Sequence, residues 1–250
     1  KPDFFLFENV KGLVKTEKHR RFYNEMKMKV THSGYVISDK VVNALSYGVP
    51  QFRERILMVG FWGNDFRRKG VLNVDERNYF SFPWEKYKQF DIEKILSLNW
   101  PVAEEFKENS KRDFVYDVPE SLTVEYWFRK NKVTEHPNQN KVFSVKDGLE
   151  KIKRIFEGDT KRKSFKRLHR WKYSPTAAYG NNEVHLHPYK VRRLSVAEAM
   201  AIQSLPEKFI LPNDIPLTAM FKMIGNGVPY LMAECIAKTL KELVSQVYDV

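Results

Sequence analysis

Four groups of residues have the types and spacing that chemistry needs. Glu8 and Asn9 follow an apolar run, Phe4-Phe5-Leu6-Phe7, and emerge at the end of what reads as a strand. In open α/β sheets, ligands bind beyond the carboxyl ends of strands. A carboxyl group leaving apolar neighbours is poorly solvated, which favours its neutral form and suits an acid working near neutral pH. The plainer alternative is a glutamate capping a neighbouring helix. In Gln51-Phe52-Arg53-Glu54-Arg55 the two arginines alternate with a glutamate, so both guanidiniums project to one face of an extended segment. They suit an oxygen-rich ligand, such as a phosphate or a base carbonyl, or else a structural ion pair with a carboxylate elsewhere.

Gly225-Asn226-Gly227-Val228-Pro229 precedes an apolar helical pattern. Its backbone N–H groups can approach an anion or cofactor, or it is a helix-entry turn that needs positive φ. The fourth group is a basic stretch. Residues 151 to 172 hold ten lysines or arginines, among them Lys161, Arg162, Lys163, Lys166, Arg167 and Arg170, interleaved with Phe156, Phe165, Leu168 and Trp171. Basic and aromatic residues together fit a nucleic-acid backbone; a solvated basic face is the ordinary alternative. His185 and His187 alternate on one strand-like face, but no third residue has metal-ligand spacing, so no metal is expected. Cys235 sits inside the final helical pattern with no histidine near it and reads as structural.

The elements that must position these groups follow from periodicity. Residues 1 to about 63 read strand, helix, strand, strand, the tail of an α/β sheet. The first strand is expected to be buried on both faces of a parallel sheet. The helix covers Lys15 to His32 with Phe22, Met26 and Val30 at helical spacing, and Tyr35 to Ile37, Val41 to Leu45 and Arg55 to Phe61 supply the later strands. From about Asn64 to Lys190 the pattern becomes irregular α+β, with helices at Ile92–Leu98 and Leu149–Phe156 and strand-like pieces at 114–116 and 141–145. Ser195 and Glu198 have capping-box spacing for a helix from Val196 to about Ser204, and Pro229 opens a final helix striped by Ile236, Leu240, Leu243, Val244 and Val247.

Composition narrows the function. The 250 residues carry a formal net charge of +12, which favours a polyanionic partner, and 42% are hydrophobic, which excludes a disordered chain. One cysteine excludes an internal disulfide and any zinc site built on paired thiolates, and fits a reducing, cytoplasmic setting. No apolar run approaches membrane-spanning length. A buried parallel strand needs neighbours on both sides, and nothing precedes Lys1-Pro2-Asp3, so the chain is expected to be the carboxyl-terminal piece of a larger domain.

In order, these segments resemble the carboxyl-terminal part of the DNA cytosine-5 methyltransferases. Glu8-Asn9-Val10 is similar to the Glu-Asn-Val motif, and Gln51-Phe52-Arg53-Glu54-Arg55 to the Gln-x-Arg-x-Arg motif. Arg193-Leu194-Ser195, Glu198 and Gln203-Ser204-Leu205-Pro206 resemble a third motif, and Gly225-Asn226-Gly227-Val228 the last. The resemblance implies an α/β fold: the carboxyl-terminal part of a Rossmann-like S-adenosylmethionine-dependent methyltransferase sheet, plus an irregular α+β target-recognition domain. The partition it implies is a partial catalytic domain at 1–63, target recognition at 64–190 and a return to the catalytic domain at 191–250.

It further implies that a cytosine is flipped out of double-stranded DNA, attacked at C6 by a cysteine thiolate and methylated at C5 from S-adenosylmethionine. Glu8 would hydrogen-bond N3, Arg55 would hold O2, and Arg53 would support the loop or the same edge. Asn226 and Val228 would meet the cofactor, with Asn9, Val10, Gln51 and Gly225 supporting their motifs. Restriction–modification is the expected setting. The cysteine nucleophile and Gly-rich cofactor loop of the family are absent from this sequence, so the chain alone is expected to be inactive without an amino-terminal half or subunit. The alternatives are a DNA-binding specificity subunit, an inactive homologue, or an enzyme acting on RNA.

Overall fold

A computed structural model describes residues 1–145, 148–179 and 183–248. The chain divides into two compact units, one of residues 1–43, 54–88 and 234–250, the other of residues 44–53 and 89–233. Residues 64–88 therefore join the sheet unit and residues 191–233 the second unit, a different partition from the one expected.

The first unit is built on β1 (Phe4–Val10), α1 (Gly12–Lys15), α2 (Glu17–His32), β2 (Tyr35–Asn43), β3 (Glu54–Trp62) and α3 (Gly63–Lys69). The sheet order is β1-β3-β2, and both pairings are antiparallel. Within this chain the one strand paired with β1 among the described residues runs antiparallel to it, where the sequence suggested a parallel sheet. Phe4, Leu6 and Val10 are exposed while Phe5 and Phe7 turn inward, the period-two pattern of a strand with one covered face. Phe5 lies opposite Gly60, and its ring fills the space where a side chain at position 60 would stand. β2 is one continuous strand followed by a 3-10 turn at Ala44–Tyr47, where the sequence suggested two short strands.

α2 forms as expected, but its anchor is Tyr23, with Met26 and Val30, and Phe22 faces solvent. The Tyr23 hydroxyl donates to Asp39 Oδ2 at 3.0 Å, and Lys27 pairs with the same carboxylate at 3.3 Å. Burial and the Asp39 charge push the Tyr23 phenol well above its ordinary range.

The second unit contains α4 (Ile92–Ser97), a 3-10 turn at Glu120–Leu122, α5 (Val124–Lys130), α6 (Leu149–Lys153), α7 (Val196–Ile202) and α8 (Leu217–Asn226); α9 (Tyr230–Tyr248) starts there and ends in the first unit. Its main core gathers Trp127, Phe128, Leu168, Tyr179, Leu194, Met220 and Phe221 around the wholly buried α7. The α7 capping box is present: Ser195 Oγ accepts from the Glu198 N–H, and the Glu198 carboxylate accepts from the Ser195 N–H. The strands suggested at 114–116 and 141–145 are absent, apart from an isolated bridge between Val142 and Ser195. Among the described residues no helix is long and apolar enough to cross a membrane.

Candidate active site

Glu8 and Arg55 meet in the first unit. Arg55 on β3 is paired across the ladder with Val10, so Glu8, two residues earlier on β1, is its diagonal neighbour on the same face. Long side chains span that diagonal, and Arg55 Nε lies 2.9 Å from Glu8 Oε1. Arg55 also donates through Nη1 to the Glu54 carbonyl at 2.8 Å, which fixes the guanidinium plane. Burial lowers the Arg55 pKa against the opposing pull of Glu8. The Glu8 side chain remains 27% exposed. Its defining neighbour in this chain is a guanidinium. The pair presents a carboxyl group and N–H donors side by side, an edge that a planar polar ligand can meet. Asn9 Oδ1 accepts from the Val10 N–H at 2.8 Å, a local contact that shapes the end of β1.

Arg53 does a different job in the second unit. It is 1% exposed, and its guanidinium donates to the carbonyls of Ala177 at 3.3 Å, Gly225 at 3.0 Å and Gly227 at 3.0 Å. The reason lies in the end of α8. A helix leaves its last carbonyls without intrahelical donors, and the residue four beyond Gly225 is Pro229, which has no N–H. Arg53 supplies the missing donor at Gly225, and Gln203 Nε2 supplies one to Ile224 at 2.5 Å. A cation at a helix carboxyl terminus is also favourable to the macrodipole. Gln51, fully buried, donates to Gln203 Oε1 at 3.1 Å and accepts from the Ala177 N–H at 3.0 Å.

Three of the sequence motifs therefore meet as one polar cap that joins α8, the start of α9 and the 177 segment. The reading of Gly225–Gly227 as a helix-entry loop is corrected: Gly225 and Asn226 are the last residues of α8, and neither Gly225 nor Gly227 has positive φ. Gly225 is needed for closeness instead, because a Cβ there would stand 2.8 Å from the Tyr179 backbone nitrogen. Gln203 is the residue that the candidate set lacked; its signal was the Gln-Ser-Leu-Pro sequence after α7.

Asn226 and Val228 are exposed at the end of this cap, and Val228 borders an apolar cavity of about 190 Å³ with Leu205, Phe209 and Met223. They can offer a carboxamide and an apolar wall to a cofactor. No acidic group for a ribose or an amino group lines that cavity among the described residues.

The basic stretch divides in two. Lys161, Arg162 and Lys163 are exposed and Lys166 is half-buried, with Arg162 Nε held by Asp159 at 2.6 Å. Arg167 and Arg170 are corrected from surface to core. Arg167 is fully buried and donates to the carbonyls of Ile152, Ile155, His187 and Lys190, and burial lowers its pKa to about 10. Arg170 forks onto Glu157, with Nε to Oε1 and Nη2 to Oε2 both at 2.8 Å. Leu168 and Trp171 are core residues too.

His187 and His169, both buried, fit structural roles. His187 accepts the Tyr189 N–H at Nδ1, leaving its Nε2 proton directed at Glu198, 3.4 Å away. Glu104, Glu157 and His169 lie close enough to suggest a metal site. However, His169 Nδ1 accepts from the Trp171 N–H at 3.0 Å, so the neutral ring carries its proton on Nε2, the atom facing Glu104. Arg112 and Arg170 already balance the two carboxylates. The group reads as an ion-pair network. Cys235 is buried in α9, and burial raises its thiol pKa.

The family model for C-5 cytosine-specific DNA methylase matches residues 1–242. The chain belongs to the C-5 cytosine-specific DNA methylase family. It is 52% identical over 249 residues to the Type II methyltransferase M.NmeDI of Neisseria meningitidis serogroup C, covering 99% of this chain and 56% of that protein. It is 29% identical to the Type II methyltransferase M.FnuDI of Fusobacterium nucleatum, covering 98% of this chain and 66% of that protein. The chain thus spans little more than half to two thirds of these relatives. The crystal structure of a DNA modification methyltransferase encoded within an E. coli prophage superposes with a TM-score of 0.61 at 23% identity, covering 98% of this chain and 70% of that one. Schizosaccharomyces pombe Dnmt2 gives 0.51 at 11% identity, covering 99% and 68%. Both share the mixed α/β fold.

Proposed function

We propose that this chain is the carboxyl-terminal part of a DNA cytosine-5 methyltransferase of a bacterial restriction–modification system, working inside the cell with an amino-terminal half that carries the cysteine nucleophile and the Gly-rich cofactor loop. The single observation that carries the reading is the Glu8–Arg55 pair, 2.9 Å apart on adjacent strands of a chain of this family.

A cytosine flipped from the duplex offers N3 and O2 as neighbouring acceptors. Glu8 is placed to hydrogen-bond the N3 edge, and the Arg55 Nη groups to donate to O2. When a thiolate adds to C6, electron density moves through the ring to N3, the edge that Glu8 faces with Arg55 beside it. Both contacts strengthen as charge develops, which is the condition for catalysis over mere binding. Arg53 is a positioning residue in this scheme, holding the α8–α9 junction that presents Asn226 and Val228. S-adenosylmethionine, when bound, supplies the methyl group. Asn226 and Val228 stand against it. The exposed cations Lys161, Arg162 and Lys163, with Lys166, hold the DNA backbone from within the recognition region.

The test is a pair of variants in the protein assembled with its amino-terminal half. Glu8→Gln and Arg55→Ala are expected to lower methyl transfer to DNA roughly 10²–10⁴-fold, the range for a positioned proton donor, while duplex binding persists. Unchanged turnover in both variants refutes the reading.

A further inference from the structure

Lys163, Ser164, Lys166, Thr176, Glu183 and His185 line a cavity of about 80 Å³ in the second unit. That space has room for a small polar group. We propose that this notch seats a single phosphodiester of the DNA backbone, gripped by Lys163 and Lys166 and fixed in position by His185. The inference rests on the DNA-methyltransferase reading above and adds to it a specific anchoring point.

Three independent observations converge. His185 is 6% exposed, and its Nδ1 is buried with no hydrogen-bond partner among the described residues. Buried polar side-chain atoms are nearly always paired, so an orphan on a residue that lines a polar cavity asks for a ligand. Its ring is held edge-on to Tyr179, with centroids 5.3 Å apart, so the imidazole is a fixed part of the wall. Burial, aided by the Lys166 charge, lowers its pKa to about 3, so it meets the ligand as a neutral N–H donor.

The second observation is charge. Arg162 is tied to Asp159, but neither Lys163 nor Lys166 is in an ion pair among the described residues. Glu183 is exposed on the same lining, and its field acts on Arg193. Two uncommitted ammonium groups beside a small cavity on a chain of net charge +12 favour an anion. The Thr176 hydroxyl already donates to the Phe52 carbonyl at 2.8 Å, and Ser164 is the lining hydroxyl with no hydrogen-bond partner among the described residues.

The third is backbone. Phe165, between Ser164 and Lys166, has φ of 55°, a left-handed conformation that bulky residues avoid. It is over-determined by its surroundings: the ring packs on the Ile152–Ile155–Leu186 cluster and lies under Arg193, 5.4 Å from the centroid. Such strained residues gather at binding sites. No backbone hydrogen bond among the described residues uses the N–H of Ser164, Phe165 or Lys166, so these donors too are available at the turn. Phosphate contacts carry no sequence information but set the register of a protein on the duplex. A buried, directional donor such as His185 does this better than surface lysines alone.

Ethylation interference tests the proposal on a duplex carrying a sequence that the protein methylates, with the wild type compared against Lys166→Gln and His185→Leu. The wild type is expected to show a phosphate whose ethylation blocks binding, and both variants are expected to lose sensitivity at that one position. Lys166→Gln should also weaken binding about tenfold and reduce the salt slope by about one. A melting curve accompanies each variant; if His185→Leu does not fold, Lys166→Gln decides. Loss spread evenly over all phosphates, or an unchanged interference pattern, overturns the notch while leaving the enzyme reading intact. Absence of duplex binding by the wild type overturns both.

Discussion

Replacing Arg53 by methionine separates a brace from a catalytic group. Three carbonyls accept from this guanidinium, those of Ala177, Gly225 and Gly227. Gly227 keeps a second, longer donor in Gln203 at 3.4 Å, so two acceptors, Ala177 and Gly225, are left in the core without Arg53. Each orphaned buried acceptor costs about 1–3 kcal/mol, so the variant should lose about 4 kcal/mol. At ~2–4 °C per kcal/mol for a protein of this size, the melting temperature should fall by roughly 8–16 °C. Arg53→Lys should recover only part of the loss, because an ammonium cannot match the planar fork that spans residues 177 and 225. Differential scanning calorimetry or thermal fluorescence gives the answer, with Arg55→Met as the companion. Arg55 donates to one backbone carbonyl and one half-exposed carboxylate, so its loss should move the transition far less. Arg53→Met melting within about 2 °C of wild type, no more than a single kcal/mol produces, would refute the cap argument.

Two further outcomes follow from the same reasoning. Burial raises the Glu198 carboxyl, but His187 and the forked Arg192 outweigh it and hold the group well below the usual carboxylate range. Its folded pKa lies below the unfolded value of about 4.3, so it contributes stability above that pH and loses it as pH falls further. Glu198→Gln should therefore melt lower at neutral pH and show a shallower loss between pH 5 and 3; parallel curves contradict this. Neutralising Lys161, Arg162 and Lys163 together should lower the salt slope of DNA binding by up to about three with no change in melting, whereas Arg167→Met should do the reverse, and anisotropy titrations with melting curves distinguish them.

The parts of the fold legible in the sequence were those set by local pattern. The capping box at Ser195 and Glu198, the α2 and α9 stripes and the central strand β3 all depend on spacing within one segment. What was not legible depended on distant partners. An apolar run such as Phe4–Phe7 does not say which way its neighbour runs, and β1 pairs antiparallel with β3, which lies some fifty residues away. Arg167 and Arg170 sit in a run of cations and read as surface, because their acceptors come from residues 110, 152, 155, 157, 187 and 190. Helix α8 passed unseen because its N-cap, Pro216, makes no side-chain cap and its Gly-Asn end resembles a loop.

The site was legible in a similar measure. Glu8 and Arg55 were each marked as candidates, and the antiparallel register is what makes them diagonal neighbours. Gln51, Arg53 and Gly225 were marked as motif residues, and their shared task became visible only once α8 was seen to end four residues before a proline.

The most direct measurement is nucleoside mass spectrometry of duplex DNA and transfer RNA after incubation with the assembled protein and isotopically labelled S-adenosylmethionine. The account predicts labelled 5-methylcytosine in the DNA, none in the RNA, and its loss in Glu8→Gln. Label found in RNA instead, on another base, or undiminished in Glu8→Gln would contradict it.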